Sequence, residues 1–431
     1  MSKIKGAAMS GRLLLVLVFF LGVPGAYGQS IGGSAARSAM DDLVLKVVVF
    51  GPSDEIFIWW GHAALVVENT RWNYSRIFDW GIFSYPSDNF LQDFLNNQVQ
   101  YNSAVEYLDF QPYIDEDRDI TVYTLDLEAD QKERILAYAE NNVLPENRYY
   151  NYHEFRDNCS TRIRDIIDLG TGGQLKEWAA HSSGRFSIRQ HIRRFTWFRP
   201  VWDWFLDFLM GRDLDAAITV WDEMFLPVEV GRHIVDFSYT DSTGASRRLV
   251  RSVEILNSSK ERPPVLSAAP RRWPGDLLLG MLPAALVPGF RVLRKKKPLA
   301  GRIVWGVFQG IVGLALGILG FVLLYALYFM KNDYIQQNIN LLFINPLLLA
   351  AAPLGLFAAA RRMQSIKPEK CLKILWVCVA AAGLLSLLLR VLPFFSQQNQ
   401  ATLALVLPAA VLLSLGAEFR MEQIPGDTAA H

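Results

Sequence analysis

Five apolar stretches in the last third of the chain constrain its fold more than any other feature. Each is close to the ~20 residues that a helix needs to cross a bilayer. We therefore predict an all-α membrane domain over residues 274–418, with about five transmembrane helices. The predicted spans are 274–292, 303–329, 340–360, 372–393 and 401–418. A four-span alternative places the first stretch, which Pro283 and Pro288 interrupt, in the membrane interface.

The loops between these stretches predict the orientation of the chain. Residues 291–302 and 361–373 are rich in Arg and Lys, whereas the alternate loops carry one lysine between them. Because basic loops stay in the cytoplasm, the region before the first span is predicted to lie outside. A basic start followed by an apolar run and small residues agrees, since this pattern is typical of a secretory signal peptide. We predict a signal peptide over residues 1–28, with an uncleaved anchor as the alternative, and a cytoplasmic tail over 419–431.

The region between the signal peptide and the membrane has mixed strand and helix patterns. Residues 29–256 are predicted to form an exported α+β domain with a small antiparallel sheet, and 257–273 a linker. Strands are predicted at 43–50, 62–68, 76–83, 101–110 and 119–126. Helices are predicted at 87–97, 128–143 and 159–170. Residues 193–209, dense in Trp, Phe and Arg, are typical either of a helix in the lipid headgroup layer or of a buried helix of this domain.

One cysteine stands apart from the other two. Cys159 is the only cysteine outside the apolar third, and three cysteines cannot form a disulfide framework. A lone thiol in an exported, oxidising compartment favours a reactive role. Cys159 follows Asn158 and opens an amphipathic run, so the positive end of a helix dipole favours its thiolate. Asn158 is predicted to be an N-cap or, with the Cys159 backbone N–H, part of an oxyanion hole.

A thiol nucleophile needs a base, and the base needs a residue that orients it. His62 is the predicted base because it opens an apolar strand; a purely structural histidine is the alternative. His153, six positions before Cys159, is the rival base. If the hairpin turns near residue 71, His62 faces residues 79–81, and Asp79 is then the predicted orienting residue. The alternatives for that role, nearer the turn, are Glu68 and Asn73.

The sequence predicts no metal, no cofactor and no nucleic-acid partner. The other histidines have no acidic or cysteine company in the sequence that indicates metal ligation. These histidines are His181, His191 and His233. The net charge of +1 gives no electrostatic reason to expect nucleic acid.

The order of the candidate residues also indicates an architecture. A histidine on a strand, followed much later by Asn-Cys at the start of a helix, is the reverse of the common papain-like order. This arrangement resembles the circularly permuted papain-like (NlpC-type) enzymes and the lecithin–retinol acyltransferase group. Further motifs resemble the periplasmic domain of the Lnb-type lipoprotein N-acyltransferase family. The motifs are Gly61-His62-Ala63-Ala64-Leu65, Asp79-Trp80-Gly81, Asp157-Asn158-Cys159-Ser160-Thr161-Arg162, Ser183-Gly184-Arg185 and Gly211-Arg212-Asp213.

The resemblance implies a specific reaction in the bacterial inner membrane, with the catalytic domain in the periplasm. Cys159 would take an acyl chain from a phospholipid as a thioester, and His62 would accept and donate protons. The acceptor would be the N-terminal amine of a diacylated lipoprotein. Two alternatives remain at this stage. One is a membrane-tethered thiol hydrolase, acting as a cell-wall amidase or a lipid deacylase, and the other is a non-catalytic membrane scaffold.

Overall fold

The computed structural model describes residues 40–83, 100–330, 333–360 and 368–415. The predicted signal peptide, the predicted helix at 87–97 and the predicted tail lie outside these residues. Within them, a domain with an antiparallel sheet and packed helices precedes a helical region. The predicted mixed α and β domain followed by a helical region is therefore confirmed.

Seven strands form one antiparallel sheet in the N-terminal domain. They are β1 (Leu43–Phe50), β2 (His62–Asn69), β3 (Tyr74–Phe83), β4 (Gln100–Tyr107), β5 (Ile120–Leu125), β6 (Tyr149–Asn151) and β9 (Val250–Asn257). Their spatial order is β6-β4-β3-β2-β1-β5-β9, and β7 (Ser238–Thr240) pairs with β8 (Ser246–Arg248) in a separate hairpin. All five predicted strands occur, and the edge strands β6 and β9 enlarge the sheet beyond the expected size.

Eight helices complete the described part of this domain. They are α1 (Gln111–Asp115), α2 (Ala129–Asn142), α3 (Cys159–Gly170), α4 (Gln174–Ala180), α5 (Ile188–Thr196), α6 (Pro200–Leu209), α7 (Val220–Glu223) and α8 (Pro227–Asp236). The main core lies between one face of the sheet and α2 and α3, where Leu65, Phe78 and Ile163 are fully buried. Burying side chains of this size contributes about 1.5–3 kcal/mol each, so the core fixes α3 against the strands.

The second half of strand β1, residues 47–50, is buried on both sides, which accounts for its continuous apolar sequence. Its odd-numbered residues, such as Val47, face α2 and α3, whereas Val48 and Phe50 pack on the opposite face of the sheet. Side chains alternate between the two faces of a strand, so a strand covered on both sides requires apolar residues throughout. The central position of β1 places its neighbour β2, which begins at His62, in the rigid middle of the sheet.

The C-terminal region contains four helical segments that are long and apolar enough to cross a membrane, within the described residues. They are Trp273–Lys296, Pro298–Phe329, Ile339–Ala360 and Pro368–Leu389. The first comprises α9 (Trp273–Gly280) and α10 (Leu282–Lys296), the second is α11 (Pro298–Phe329), and the fourth is α13 (Pro368–Leu389). The fifth predicted stretch forms a shorter apolar helix, α14 (Gln400–Leu415), and its predicted end lies outside the described residues. The prediction of a multi-pass helical region is therefore confirmed, with four candidate spans among the described residues.

The third candidate span is not one continuous α-helix. It begins with 3-10 turns at Ile339–Leu342 and Pro346–Ala350 and becomes helical only in α12 (Ala351–Ala360). Asn345 caps the second turn, since its side-chain oxygen accepts a hydrogen bond from the Leu347 N–H at 3.1 Å. Proline at position 346 has no N–H to donate, which disfavours a continuous α-helix through this point.

Helix α6 joins the N-terminal domain to the membrane helices. Phe208, near its end, is fully buried among residues of the membrane helices, whereas Trp202 is 45% exposed near its start. The last carbonyls of a helix lack partners within the helix. In α6 the Phe208 carbonyl accepts from the side-chain amides of Asn338 (2.9 Å) and Asn340 (3.0 Å). The segment 193–209 therefore contacts the N-terminal domain and the membrane helices at once, and a position in the headgroup layer stays a prediction.

A buried arginine fixes the position of α6 against α5. Every donor nitrogen of Arg189 is used: Nε binds Asp215 at 2.6 Å, and Nη1 binds Asp207 at 3.0 Å. Its Nη2 donates to the carbonyls of Met210 (2.8 Å) and Gly211 (2.9 Å). A buried ion pair of this kind is strongly destabilising when one partner is removed, because the remaining charge stays desolvated.

We expect Arg189→Met to destabilise the protein by about 3–5 kcal/mol, since Asp207 and Asp215 would lose their buried counter-charge. The measurement is the midpoint of thermal unfolding of the purified protein in detergent. Arg251→Met is the matched control, because Arg251 is exposed on β9. Equal unfolding midpoints for the two variants would contradict a structural role for the Arg189 network.

Candidate active site

Cys159 is the first residue of α3, and the residue before it determines where the helix starts. The Asn158 side-chain oxygen accepts from the Thr161 N–H at 2.9 Å, and the Thr161 hydroxyl accepts from the Asn158 N–H at 2.8 Å. The Asn158 amide nitrogen donates to the carbonyls of Glu154 (2.6 Å) and Phe225 (3.0 Å). The side-chain oxygen of Asn158 therefore serves as the N-cap of α3, and both of its amide hydrogens are engaged by these two carbonyls. The Cys159 N–H, the first in the helix, has no carbonyl partner within it.

His62 and Asp79 lie side by side on two paired strands. The turn between β2 and β3 covers residues 70–73, as the hairpin prediction required. In the resulting register Asp79 pairs with Ala64, so His62 and Asp79 occupy diagonal positions on one face of the sheet. Their Nε2 and Oδ1 atoms are 2.6 Å apart, and each side chain is only 18% exposed. The geometry brings together the residue predicted as base and the residue predicted to orient it.

The alternative orienting residues lie elsewhere. Glu68 forms an ion pair with Lys46 of the neighbouring strand β1. Asn73 belongs to the turn at the far end of β2, with a positive φ of 48°. Of the three predicted candidates, Asp79 is therefore the one that the structure places against His62.

The charges of His62 and Cys159 depend on each other. Burial alone would lower the pKa of His62, but Asp79 and Cys159 together raise it to about 10. Burial alone would raise the pKa of Cys159, but the charge and hydrogen bond of His62 lower it below its usual value. The Ala63 N–H and the Ser160 hydroxyl lower it further. Asp79 on one side and the thiol on the other both stabilise a charged His62, which favours a thiolate–imidazolium pair.

Three tyrosines surround this pair. The rings of Tyr101 and Tyr152 stack with their centroids 4.1 Å apart. Burial and then the charges of Glu154 and Cys159 raise the pKa of Tyr101 to about 12. Burial and the Cys159 charge also raise the pKa values of Tyr150 and Tyr152. The tyrosines therefore stay protonated, and the thiolate has aromatic rings with neutral hydroxyl groups as neighbours.

A glycine in β3 allows the strand to approach Cys159. Gly81 has φ = 93° and lies at a bulge, where the pairing with β4 shifts between Trp80 and Ile82. A Cβ atom at Gly81 would lie 3.6 Å from both the Cys159 Cβ and the Tyr152 ring. A contact of 3.6 Å is an ordinary one, so it is the positive φ at the bulge, which residues with a side chain rarely adopt, that favours glycine here.

The rival base, His153, makes different contacts. Its Nδ1 accepts from the Phe155 N–H at 3.2 Å, and its Nε2 lies 3.4 Å from Asp333 Oδ1. Asp333 belongs to the segment between α11 and the third candidate span. His153 therefore connects the loop before Cys159 to the membrane region, and the geometry favours His62 over His153 as the base.

Two other histidines correct an expectation from the sequence. His191 and His233 do have acidic company in space, because their Nε2 atoms bind the two oxygens of Glu223 at 2.8 and 3.0 Å. The residues adjacent in the sequence do not reveal this proximity, because the two histidines and Glu223 come from three separate helices, α5, α7 and α8. Glu223, Glu229 and His233 lie close enough to share a cation, with ligand atoms within 4.8 Å of one another. The arginines that already bind Glu229 are Arg185 and Arg194. With Glu229 paired to two arginines, this donor set fits a salt-bridge network better than a metal site.

We expect Asp79→Asn to change how Cys159 reactivity depends on pH. In the wild-type protein the thiolate–imidazolium pair exists between the lowered pKa of Cys159 and the His62 pKa of about 10. Removing the Asp79 charge lowers the His62 pKa, so fewer molecules hold the pair near neutral pH. Alkylation of Cys159 by iodoacetamide, followed by intact mass, should slow about 10-fold near pH ~7 and recover above pH ~9.

Asp236→Asn is the matched control for this experiment, because Asp236 is exposed at the end of α8. It should leave the alkylation profile unchanged. If Asp79→Asn gives the same profile as this control, Asp79 does not set the charge state of the pair.

The fold and the site define a class: a multi-pass membrane protein whose α/β domain holds a partly buried Cys–His–Asp cluster. Residues 35–194 match the family model described as the Lnb N-terminal periplasmic domain. The matched range contains His62, Asp79 and Cys159, and the match confirms the predicted resemblance. No curated protein and no solved structure matches the chain.

The sequence reasoning missed several residues around the thiol. Glu154, Ser160 and the three tyrosines were not predicted to belong to the site. The run Tyr149-Tyr150-Asn151-Tyr152, just before Cys159, is the one signal that could have indicated an aromatic wall. Tyr101 lies on a different strand, so only the pairing of β4 with β6 brings it to Tyr150 and Tyr152.

Proposed function

We propose that this protein is a thiol acyltransferase of the bacterial inner membrane. It moves an acyl chain from a phospholipid, through a Cys159 thioester, to the N-terminal amine of a diacylglyceryl-cysteine lipoprotein. The observation that carries the proposal is the position of the Cys–His–Asp cluster beside the membrane helices. The loop before Cys159 contacts the segment after α11, where Arg156 pairs with Asp333 at 2.6 Å. The Phe155 and Tyr334 rings also pack edge to face, 5.5 Å apart.

The first half-reaction follows from the charge state of the pair. The Cys159 thiolate attacks the carbonyl carbon of a phospholipid ester, and a C–S bond forms. The Cys159 N–H at the start of α3 can donate a hydrogen bond to the developing oxyanion. When the ester C–O bond breaks, the His62 imidazolium gives its proton to the leaving alkoxide. A lysophospholipid departs and leaves a thioester beside a neutral His62.

The second half-reaction regenerates the thiolate. The free amine of the acceptor attacks the thioester carbonyl, and a C–N bond forms. His62 takes a proton from the attacking nitrogen as the C–S bond breaks. The products are an amide and the original thiolate–imidazolium pair. Asp79 holds the His62 ring in position through the 2.6 Å contact in both steps.

An aromatic surface supports a lipid substrate. Phe57 and Trp202 are 64% and 45% exposed, and the ring of the buried Trp59 packs 6.3 Å from that of Trp202. On α6, Asp203 pairs at 3.2 Å with Arg272, the residue before the first candidate span. Aromatic side chains concentrate where a membrane meets water. We infer that this surface lies at the outer face of the membrane, close to the chain segment that leads into His62.

The proposal includes a domain organisation and an architecture. We propose a signal peptide over residues 1–28, a periplasmic catalytic domain over 29–256 and a connection to the membrane over 257–273. The domain is proposed to be a circularly permuted papain-like fold. The support is a histidine at the start of β2 that meets a cysteine at the start of α3, later in the chain.

The test is complementation of a bacterial strain that lacks lipoprotein N-acyltransferase, with mass spectrometry of lipoprotein N-termini. The wild-type chain should convert diacylated N-termini into triacylated ones. Unchanged diacylated N-termini, from a chain that is well expressed in the membrane, would overturn the proposal. In that case a thiol hydrolase, which uses water instead of the amine, becomes the better hypothesis.

A further inference from the structure

Glu154 has a carboxylate oxygen that is buried and has no hydrogen-bond partner among the described residues. That atom is Oε2; the other oxygen, Oε1, lies 3.5 Å from the Tyr334 hydroxyl, at the limit of a hydrogen bond. Within the described part of the chain, Glu154 also forms no ion pair with Lys or Arg. A buried carboxylate oxygen without a donor is unusual in a folded protein and calls for a partner.

The backbone of Glu154 is tied to the residue that precedes the thiol. Its backbone carbonyl accepts a hydrogen bond from the Asn158 side chain at 2.6 Å, and Asn158 directly precedes Cys159. Its charge also acts on Tyr101 and Tyr152, the stacked rings that respond to the charge of Cys159. The carboxylate and the thiol therefore lie within electrostatic reach of the same pair of rings.

We propose that the Glu154 carboxylate binds the ammonium group of the acyl acceptor and takes one of its protons. This inference rests on the proposed function and adds the amine site that the second half-reaction needs. A primary ammonium supplies N–H donors, which the buried Oε2 atom lacks, and a positive charge that matches the carboxylate. Neither the phospholipid ester nor water supplies both.

The proton balance of the second half-reaction then closes. The acceptor arrives as an ammonium ion, and one proton passes from its nitrogen to the Glu154 carboxylate. The neutral amine attacks the Cys159 thioester, gives a second proton to His62, and becomes the amide as the C–S bond breaks. Cys159 leaves as a thiolate beside the His62 imidazolium. Glu154 finally releases its proton to solvent, so the net reaction liberates one proton.

The surroundings of Glu154 suit it to accept a proton. Burial raises the pKa of its carboxyl, with a smaller contribution from the negative charge of Asp333, whereas its own backbone N–H, His153 and Tyr334 oppose this shift. Tyr101 and Tyr152 are the titratable groups on which the charges of both Glu154 and Cys159 act. A carboxylate with a raised pKa is a better base for an α-ammonium group, whose own pKa is about 7.7–8.0.

The test separates the two half-reactions in the purified full-length protein. The protein is first mixed with a phospholipid, and the Cys159 thioester is measured by intact mass. A synthetic S-diacylglyceryl-cysteine peptide is then added, and the rate of amide formation is followed across a pH range. Glu154→Gln is compared with the wild-type protein, with Glu154→Asp, and with Glu146→Gln at an exposed position.

Glu154→Gln should form the thioester at the wild-type rate but transfer the acyl chain about 100-fold more slowly near neutral pH, the scale of general-base catalysis. The transfer rate should recover as the pH rises above the amine pKa, because the acceptor then arrives without the extra proton. Glu154→Asp should retain part of the transfer rate, and Glu146→Gln should behave like the wild-type protein.

Other results overturn the inference. Wild-type transfer rates in Glu154→Gln at every pH would exclude an amine-binding role. Equal slowing of thioester formation and of transfer, without recovery at high pH, would indicate that Glu154 only supports the fold. Failure of the wild-type protein itself to form a thioester would overturn the proposed function and this inference together. Such a failure appears before any acceptor is added, so the two cases are distinguishable.

Discussion

Replacement of Cys159 by alanine should abolish lipoprotein N-acylation. The thiolate is the proposed nucleophile, and neither of the other cysteines lies in the N-terminal domain. Removing a nucleophile that acts as a unit with its base lowers turnover on the order of 10⁴- to 10⁶-fold. The measurement is the fraction of triacylated lipoprotein N-termini in the complemented strain, together with the acyl-enzyme mass in vitro. Both should fall to background.

The chain offers a matched control for this variant. Cys378 is an exposed cysteine on α13, in a candidate membrane span. Cys378→Ala should retain wild-type triacylation and a wild-type acyl-enzyme mass. If Cys159→Ala kept substantial activity, covalent catalysis through this thiol would be wrong, and the scaffold alternative would gain support.

Replacement of His62 by alanine has the second-largest expected effect. The variant loses the proton carrier of both half-reactions, and it loses the charge and hydrogen bond that lower the Cys159 pKa. General acid–base catalysis contributes ~10²–10⁴-fold, and we expect thioester formation to slow by at least that factor. Cys159 should also react more slowly with iodoacetamide near neutral pH, because less of it is ionised.

His181→Ala is the control for this change, since His181 is an exposed histidine of the same domain. It should leave both the rate of thioester formation and the alkylation profile unchanged. A His62→Ala protein with wild-type acylation would assign the base to another group, and His153 would then be the first residue to test.

The sequence was most informative where local rules and strand pairing decide the structure. An Asn before an amphipathic run predicted the start of α3 at Cys159, because N-caps are set by neighbouring residues. The apolar runs predicted β1 and β2. The short turn after β2 brought Asp79 to His62 once β3 paired with β2. These interactions span few residues, so single-sequence patterns carry them.

The remaining features depend on contacts between distant segments. Glu154 meets Tyr334, and His153 meets Asp333, only because the membrane region docks against the loop before Cys159. The network around Glu223 is assembled in the same way from separate helices. No local pattern encodes such contacts, because each residue on its own resembles an ordinary polar surface residue.

The membrane region shows a related limit. Apolar length predicted five stretches, but it did not show that the third would begin as 3-10 turns around Asn345. It also did not show that amides at Asn338 and Asn340 would bind the end of α6. Hydropathy indicates whether a segment prefers lipid or water, but it does not indicate which groups will hydrogen-bond to the backbone of that segment. The docking of the N-terminal domain on the membrane helices is therefore visible only in the structure.

The most direct test of the central claim is the fate of one labelled acyl chain. The purified wild-type protein would receive a phospholipid with a labelled acyl chain and a diacylglyceryl-cysteine peptide, and the label would be located by mass spectrometry. The account predicts label first on Cys159 as a thioester and then on the peptide's N-terminal nitrogen as an amide. Label released as free fatty acid, with the peptide amine unmodified, would contradict acyl transfer and establish hydrolysis in its place.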